Sequence, residues 1–114
     1  MDDIRNLAKE GQALLEQARN ESSGRSSVSL VHVDRQRAVL MGLTAGSGLS
    51  PHEAPPAATL QCVTGHVRLY LTDGATEDGT TEWLLEDGDI VPIPQARHGV
   101  DTISDSVILL TVSL

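Results

Sequence analysis

The spacing of apolar residues changes once along the chain, near residue 28. Over residues 3 to 20, apolar or small side chains recur every three or four positions, which is typical of an amphipathic α-helix: Ile4, Leu7, Ala8, Gly11, Leu14, Leu15 and Ala18. Acids lie near the start of this segment and Arg19 near its end, as the helix dipole favours. Residues 21 to 27 are small and polar and indicate a linker. The sequence therefore divides into a helix with its linker, residues 1–27, and a second unit, residues 28–114.

Short apolar runs separated by turn residues fill the second unit. Eight or nine short strands are predicted, in the runs 28–33, 38–44, 58–63, 66–71, 81–85, 90–93, 99–103 and 106–112. Two hairpins are expected, one around the polar turn 34–37 and one through Thr64-Gly65. Residues 45–57 are rich in Gly, Pro, Ser and Ala and are expected to form a loop and extended chain. Pro92 indicates an edge strand or a bulge. The pattern predicts an all-β sandwich or barrel of jelly-roll type.

Composition and charge exclude several classes of partner. With no Phe, one Trp and one Tyr, the core must be aliphatic. Sixteen acids against eight bases give a formal charge of −8 and no basic stripe, so neither nucleic acid nor an anionic membrane surface is an expected partner. No apolar run approaches the roughly 20 residues of a membrane span. Asp2 and Asp3 stand where an export signal carries positive charge, and Cys62 is a lone cysteine, so we expect a cytoplasmic protein.

Two histidine-bearing blocks carry the candidate chemistry. One runs from Gly48 through His52 to Gly65, and the other from Gly88 through Pro94 to His98. Both lie among predicted strands, so imidazoles 46 residues apart could converge inside one barrel. Imidazole binds transition metals and transfers protons near neutral pH. The two blocks therefore predict one site.

The order of these blocks resembles the two motifs of the cupin superfamily, over roughly residues 38 to 112. The resemblance implies a double-stranded β-helix, the cupin jelly-roll barrel, with an added N-terminal helix. In cupins three histidines and a glutamate typically hold one Fe, Mn, Ni, Zn or Cu ion. Position by position, His52 matches the first histidine and His98 the last; the motif glycines and proline match Gly65, Gly88 and Pro94. Cupins commonly bury sheet surfaces by pairing, so a homodimer is also expected.

Two ligand positions of the motif are missing from this chain. Ala54 stands where the second histidine is expected and Ala58 where the glutamate is expected. Two imidazoles alone hold a metal weakly, because catalytic metal sites usually take three protein ligands. We therefore expect either no metal or a weakly held divalent ion (Zn, Fe, Ni or Mn) on His52 and His98. Cys62 or water would complete its coordination, since Cys62 shares a strand face with Ala58.

The remaining candidates have simpler alternatives. Cys62 is either a pocket residue or a small buried hydrophobe. Arg97, beside His98, is either a binder of substrate carboxylate or a solvated arginine at the rim. His32 is expected on the surface. His66 is expected to share an outer sheet face or a dimer contact with Arg68 and Tyr70.

The leading functional hypothesis is a small-molecule-binding barrel whose pocket is lined by His52, Cys62, Arg97 and His98. A metal-dependent dioxygenase, isomerase or decarboxylase with an incomplete ligand set is the first alternative. A structural or regulatory dimer module is the second. The sequence leaves open whether the protein is an enzyme, because fold alone does not assign function.

Overall fold

The computed structural model describes residues 3–114, which form one helix and nine strands. The elements are α1 (Leu7–Arg19), β1 (Arg25–Val33), β2 (Gln36–Leu43), β3 (Gly48–His52), β4 (Ala57–Thr64), β5 (Val67–Leu71), β6 (Glu82–Leu85), β7 (Ile90–Pro92), β8 (His98–Thr102) and β9 (Ser106–Ser113). Within residues 3–114, no helix is long and apolar enough to cross a membrane.

The strands form two antiparallel sheets that enclose an aliphatic core. The five-stranded sheet has the order β1-β2-β9-β4-β7, and the four-stranded sheet the order β3-β8-β5-β6. Both sheets contribute to the core, which we call the barrel body; its buried members are Leu43, Leu60, Cys62, Val67, Leu69, Leu85, Ile93, Val100 and Ile108. The all-β jelly roll with an N-terminal helix, expected from the sequence, is confirmed. Pro92 lies in β7, an edge strand, as predicted.

The helix packs on the outer face of the five-stranded sheet. Asn6 caps its start, since the Asn6 side chain accepts a hydrogen bond from the Lys9 amide at 2.9 Å. Leu14 and Leu15 pack with Leu40 and Val107 in a second apolar cluster. Gly42 permits this contact: a Cβ there would lie 2.6 Å from the carbonyl carbon of Leu14. The amphipathic pattern thus marks the face that covers the sheet.

Two details of the strand assignment differ from the sequence prediction. The hairpin between β1 and β2 is confirmed, but β4 and β5 lie in different sheets and do not pair. Their connection is a corner at Gly65 (φ 104°), where Asp87 accepts the Gly65 amide hydrogen bond and Ser106 Oγ that of the next amide. The glycine-containing turn therefore connects the two sheets and does not close a hairpin.

The segment 45–57, expected to form a loop and extended chain, contains a paired strand that was not among the predicted runs. Residues 48–52 form β3, which pairs with β8 at the edge of the four-stranded sheet. Its Gly, Ser and Pro content hides the strand, because an edge strand tolerates residues that a central one excludes. This strand carries His52.

Candidate functional site

The two motif histidines lie side by side on neighbouring strands. His52 ends β3, His98 begins β8, and the two are direct partners across the antiparallel pair. Their ring centroids are 4.4 Å apart with an interplanar angle of 62°, an edge-to-face contact. The structure therefore brings the predicted pair together, within one sheet and at one end of the barrel. We call that end, formed by residues 51–56 and 94–98, the mouth.

An irregularity in β3 places His52 on the same face of the sheet as His98. Leu49 pairs with Val100, but the next pair is His52 with His98, so β3 contains one more residue than β8 over this stretch. In a regular ladder the alternation of faces would place Leu49 and His52 on opposite sides. The extra residue brings His52 onto the face that carries His98, as β-bulges do. Pro51 has no amide hydrogen to lose from the interrupted ladder.

Both imidazoles are held in the same tautomer by the same local contact. His52 Nδ1 lies 2.9 Å from Ser50 O, and His98 Nδ1 lies 2.9 Å from Ala96 O. A carbonyl oxygen only accepts, so each Nδ1 carries the proton and donates. In the neutral rings, Nε2 is then unprotonated and offers a lone pair to a hydrogen-bond donor or an electrophile.

The two histidines differ in exposure. His98 is 1% exposed, whereas His52 is exposed. Their rings are in contact, so the exposed imidazole packs directly against the buried one. A molecule arriving from solvent therefore meets the His52 ring first.

Arg97 spans the two histidine-bearing segments. Its Nη2 donates to Pro51 O at 3.2 Å, one residue before His52, and its Nη1 lies 3.5 Å from Glu53 Oε1. The Arg97 side chain remains 47% exposed and that of Glu53 80% exposed. Arg97 thus lies at the rim, one of its two predicted alternatives. It also forms an ion pair with Glu53 that the sequence did not indicate.

Gln95 is a mouth residue that the sequence prediction missed. Its Nε2 donates to the carbonyls of Pro55 at 2.7 Å and Pro56 at 3.0 Å. These bonds tie the segment after His52 to the segment before His98. Proline carbonyls keep their acceptor capacity although the residue lacks an amide hydrogen. The position of Gln95 between the motif proline and the motif histidine was the one available signal.

Cys62 does not join the histidines. It is 0% exposed and belongs to the barrel body, where it pairs with Ile108 across β4 and β9. Cys62 shares the inward face of β4 with Ala58, as predicted. The two residues are four positions apart along the strand, so Cys62 lies roughly 13 Å from Ala58. Burial, with smaller contributions from Asp87 and Asp89, raises the pKa of the Cys62 thiol to about 11. At neutral pH it is a protonated packing residue.

The donors at the mouth do not fit the metal that the cupin resemblance implies. Across residues 3–114, no group of three or more His, Cys, Asp or Glu side chains is placed to hold a metal ion. His52 and His98 supply two nitrogens, while Ala54 and Ala58 supply no ligand atom. Catalytic sites for these metals generally have three protein ligands. The mouth therefore lacks the ligand set that the resemblance implies.

The other candidate histidines lie apart from the mouth. His32 is exposed on β1, as expected. His66 is exposed beside the Gly65 corner, with Nε2 3.3 Å from Glu86 Oε1. Arg68 stacks over the Tyr70 ring at 4.7 Å on the outer face of the four-stranded sheet. Arg68 and Tyr70 thus lie on the outer sheet face, as predicted, and the dimer contact stays a prediction.

Solved structures, two of those named below described as cupins, share the architecture of this chain. A cupin-2 domain protein from Shewanella frigidimarina superposes with a TM-score of 0.71 at 12% identity, over 98% of this chain and 96% of its own. A cupin superfamily protein from Desulfitobacterium hafniense gives 0.67 at 15% identity, over 79% and 77%. KdgF from a Halomonas species gives 0.65 at 20% identity, over 82% of each chain. No protein-family model and no curated protein matches the sequence. At these identities the likeness establishes the fold, and the chain has the cupin fold.

Proposed function

We propose that this protein binds a small polar organic molecule at the mouth, against the imidazoles of His52 and His98. The observation that carries the proposal is the convergence of two rings whose Nδ1 atoms are both held by backbone carbonyls. In its neutral form the exposed His52 ring then directs an unprotonated Nε2 away from that bond, able to accept from a ligand hydroxyl or amide, with the buried His98 ring packed against it. Preset orientation reduces the entropy lost on binding.

The filling of the barrel supports a small ligand near the entrance rather than a large one inside. Leu60 and Ile108 of one sheet and Leu69 and Val100 of the other are buried in the same core. A ligand therefore has access to the rim of the barrel and to few atoms below it. Typical binding sites combine such apolar walls with a small number of oriented polar groups.

Saturation-transfer NMR with a defined set of compounds tests the proposal. The set is glycolate, lactate, glycerate, lactamide and glycerol, measured on the whole protein after chelator treatment. We expect transfer to at least one compound, lost in His52→Ala and in His98→Gln. The matched control is His66→Ala, which removes an exposed imidazole elsewhere and should preserve transfer. Absence of transfer, or transfer that survives both mouth variants, would contradict the proposal.

The same samples distinguish the metal-dependent alternative. Elemental analysis of protein purified without chelator would then show about one transition metal ion per chain, lost in His52→Ala. Ligand binding would also require that ion. Binding that persists after chelation, with sub-stoichiometric metal, supports the metal-free site.

We also propose the homodimer expected from the sequence. Leu84 on edge strand β6 and Ile90 on edge strand β7 are 67% and 61% exposed, so the edges of both sheets carry uncovered apolar side chains. Unpaired edges of this kind favour association. Sedimentation equilibrium measures the oligomeric state directly.

A further inference from the structure

Arg97 is the cation of the mouth, and its position relative to both histidines is fixed by the chain. It directly precedes His98 in sequence and bonds to the carbonyl of Pro51, the residue directly before His52. The segments 51–56 and 94–98 contain no other Arg or Lys. Since the whole chain carries a formal charge of −8, an anion that binds here depends on this guanidinium.

The Glu53 carboxylate forms a weak ion pair with the Arg97 guanidinium. One oxygen, Oε1, lies 3.5 Å from Arg97 Nη1, and the Glu53 side chain is 80% exposed. Exposed ion pairs with such geometry contribute little, because solvent screens the charges and two long side chains must be ordered. A carboxylate that used both oxygens would form the parallel pair of hydrogen bonds that arginine favours.

We propose that the ligand is a hydroxy monocarboxylate and that its carboxylate takes the place of Glu53 on Arg97. This inference rests on the proposed function and names its ligand class. The carboxylate accepts from Arg97, while the hydroxyl donates to Nε2 of His52, the imidazole that faces solvent. Glu53 is then a built-in competitor that raises the dissociation constant for the ligand.

The alternative anion, a phosphate ester, fits these groups less well. A dianion meets stronger repulsion from a chain of charge −8. Once ionised, its phosphate oxygens accept hydrogen bonds and donate none. A ligand hydroxyl donates a hydrogen bond to the His52 imidazole, and a single negative charge pairs with the Arg97 guanidinium.

NMR titration of isotope-labelled protein with lactate and with lactamide tests the inference. Lactamide keeps the hydroxyl and the shape of lactate and lacks its charge. In wild-type protein we expect lactate to bind at least several-fold more tightly. Glu53→Gln should tighten lactate binding about two- to five-fold, the equivalent of an exposed ion pair removed, and leave lactamide unchanged. Arg97→Gln should weaken lactate binding about ten-fold or more, again without effect on lactamide.

Two variants control for global charge. Glu77→Gln removes an exposed acid from the loop between β5 and β6, and Arg35→Gln removes an exposed cation from the turn between β1 and β2. Neither should move the lactate dissociation constant by the factor seen at the mouth. If Glu77→Gln tightened lactate as much as Glu53→Gln, the competitor role would be overturned.

The outcomes separate the inference from the function on which it rests. Equal binding of lactate and lactamide, with dependence on His52, overturns the carboxylate inference and leaves the mouth as a binding site. An unchanged lactate affinity in Glu53→Gln overturns the displacement of Glu53. Failure of every compound in the defined set to bind overturns both proposals.

Discussion

The barrel body and the mouth are held together by different interactions. In the body, side chains from both sheets exclude water, and residues such as Leu60, Leu69 and Ile108 are 0% exposed. At the mouth, most of the fixing bonds run from a side chain to a backbone carbonyl, as for Gln95 and Arg97, on exposed residues. Burial of many apolar groups gives stability. A few hydrogen bonds at a rim give geometry at little cost in stability.

This difference explains how the mouth can lack the ligands that the cupin resemblance implies while the fold is complete. Ala54 and Ala58 stand where the resemblance implies metal ligands, and the strands around them pair in both sheets. The glycine corner and the aliphatic core, by contrast, lie where backbones or buried side chains meet. We therefore expect substitutions in the body to alter folding and substitutions at the mouth to alter binding.

The largest effect is expected at the Gly65 corner, at the end of the body remote from the mouth. A Cβ at Gly65 would lie 2.6 Å from Asp105 O and closer still to Ser106 Oγ, at a φ of 104°. Gly65→Ala should reduce the free energy of unfolding by about 3 kcal/mol, because a strained backbone is combined with overpacking. Denaturant unfolding followed by circular dichroism measures the change.

Gly88→Ala is the matched control for this prediction. Gly88 also has a positive φ, 86°, but no atom lies within 4 Å of the position that a Cβ would take there. The expected loss is about 1 kcal/mol, from the backbone conformation alone. Equal losses in the two variants would show that close packing at the Gly65 corner contributes nothing to the free energy of unfolding.

The second effect concerns Cys62 and the pH dependence of the body. Its thiol has a pKa of about 11 in the folded protein, against an ordinary value of 9.0. Folding therefore favours the protonated thiol. Its contribution to the free energy of unfolding is fully present below pH 9 and is lost as pH rises through about 11. We expect unfolding free energy to fall between these values in wild type, and less so in Cys62→Ala. Urea titrations at pH 8, 9 and 10 measure it.

A mouth location for Cys62 would give a different result. An accessible thiol would react with iodoacetamide in the native protein at pH 8, at a rate near that of the unfolded chain. We expect the native reaction to be slower by orders of magnitude, because the side chain is 0% exposed. Fast native labelling would contradict the assignment of Cys62 to the body.

The sequence predicted the body better than the mouth, for physical reasons. Alternation and helical spacing report which face of an element is buried, so α1 and most strands were found. These patterns do not report strand register. One extra residue in β3 decides on which face of the sheet His52 lies. The convergence of His52 and His98 was predicted from their position among strands, and the motif resemblance agreed with it. The bonds of Gln95 to proline carbonyls follow from a side-chain conformation that no periodicity encodes.

The smallest effect on stability, with a clear effect on the mouth, is expected from Gln95→Ala. The change removes the bonds to Pro55 O and Pro56 O, which join segments 39 and 40 residues apart. Because the side chain is exposed, unfolding free energy should fall by only about 0.5–1 kcal/mol. Residues 53–56 should nevertheless gain fast backbone motion, measured by ¹⁵N relaxation at Glu53 and Ala54. Lactate binding, where it occurs, should weaken several-fold, since the ligand must then order the segment beside His52. Gln36→Ala, at the start of β2, is the control that should leave both quantities unchanged. A large loss of stability in Gln95→Ala, with no change in mouth dynamics, would instead make Gln95 part of the body and erase the boundary between the two regions.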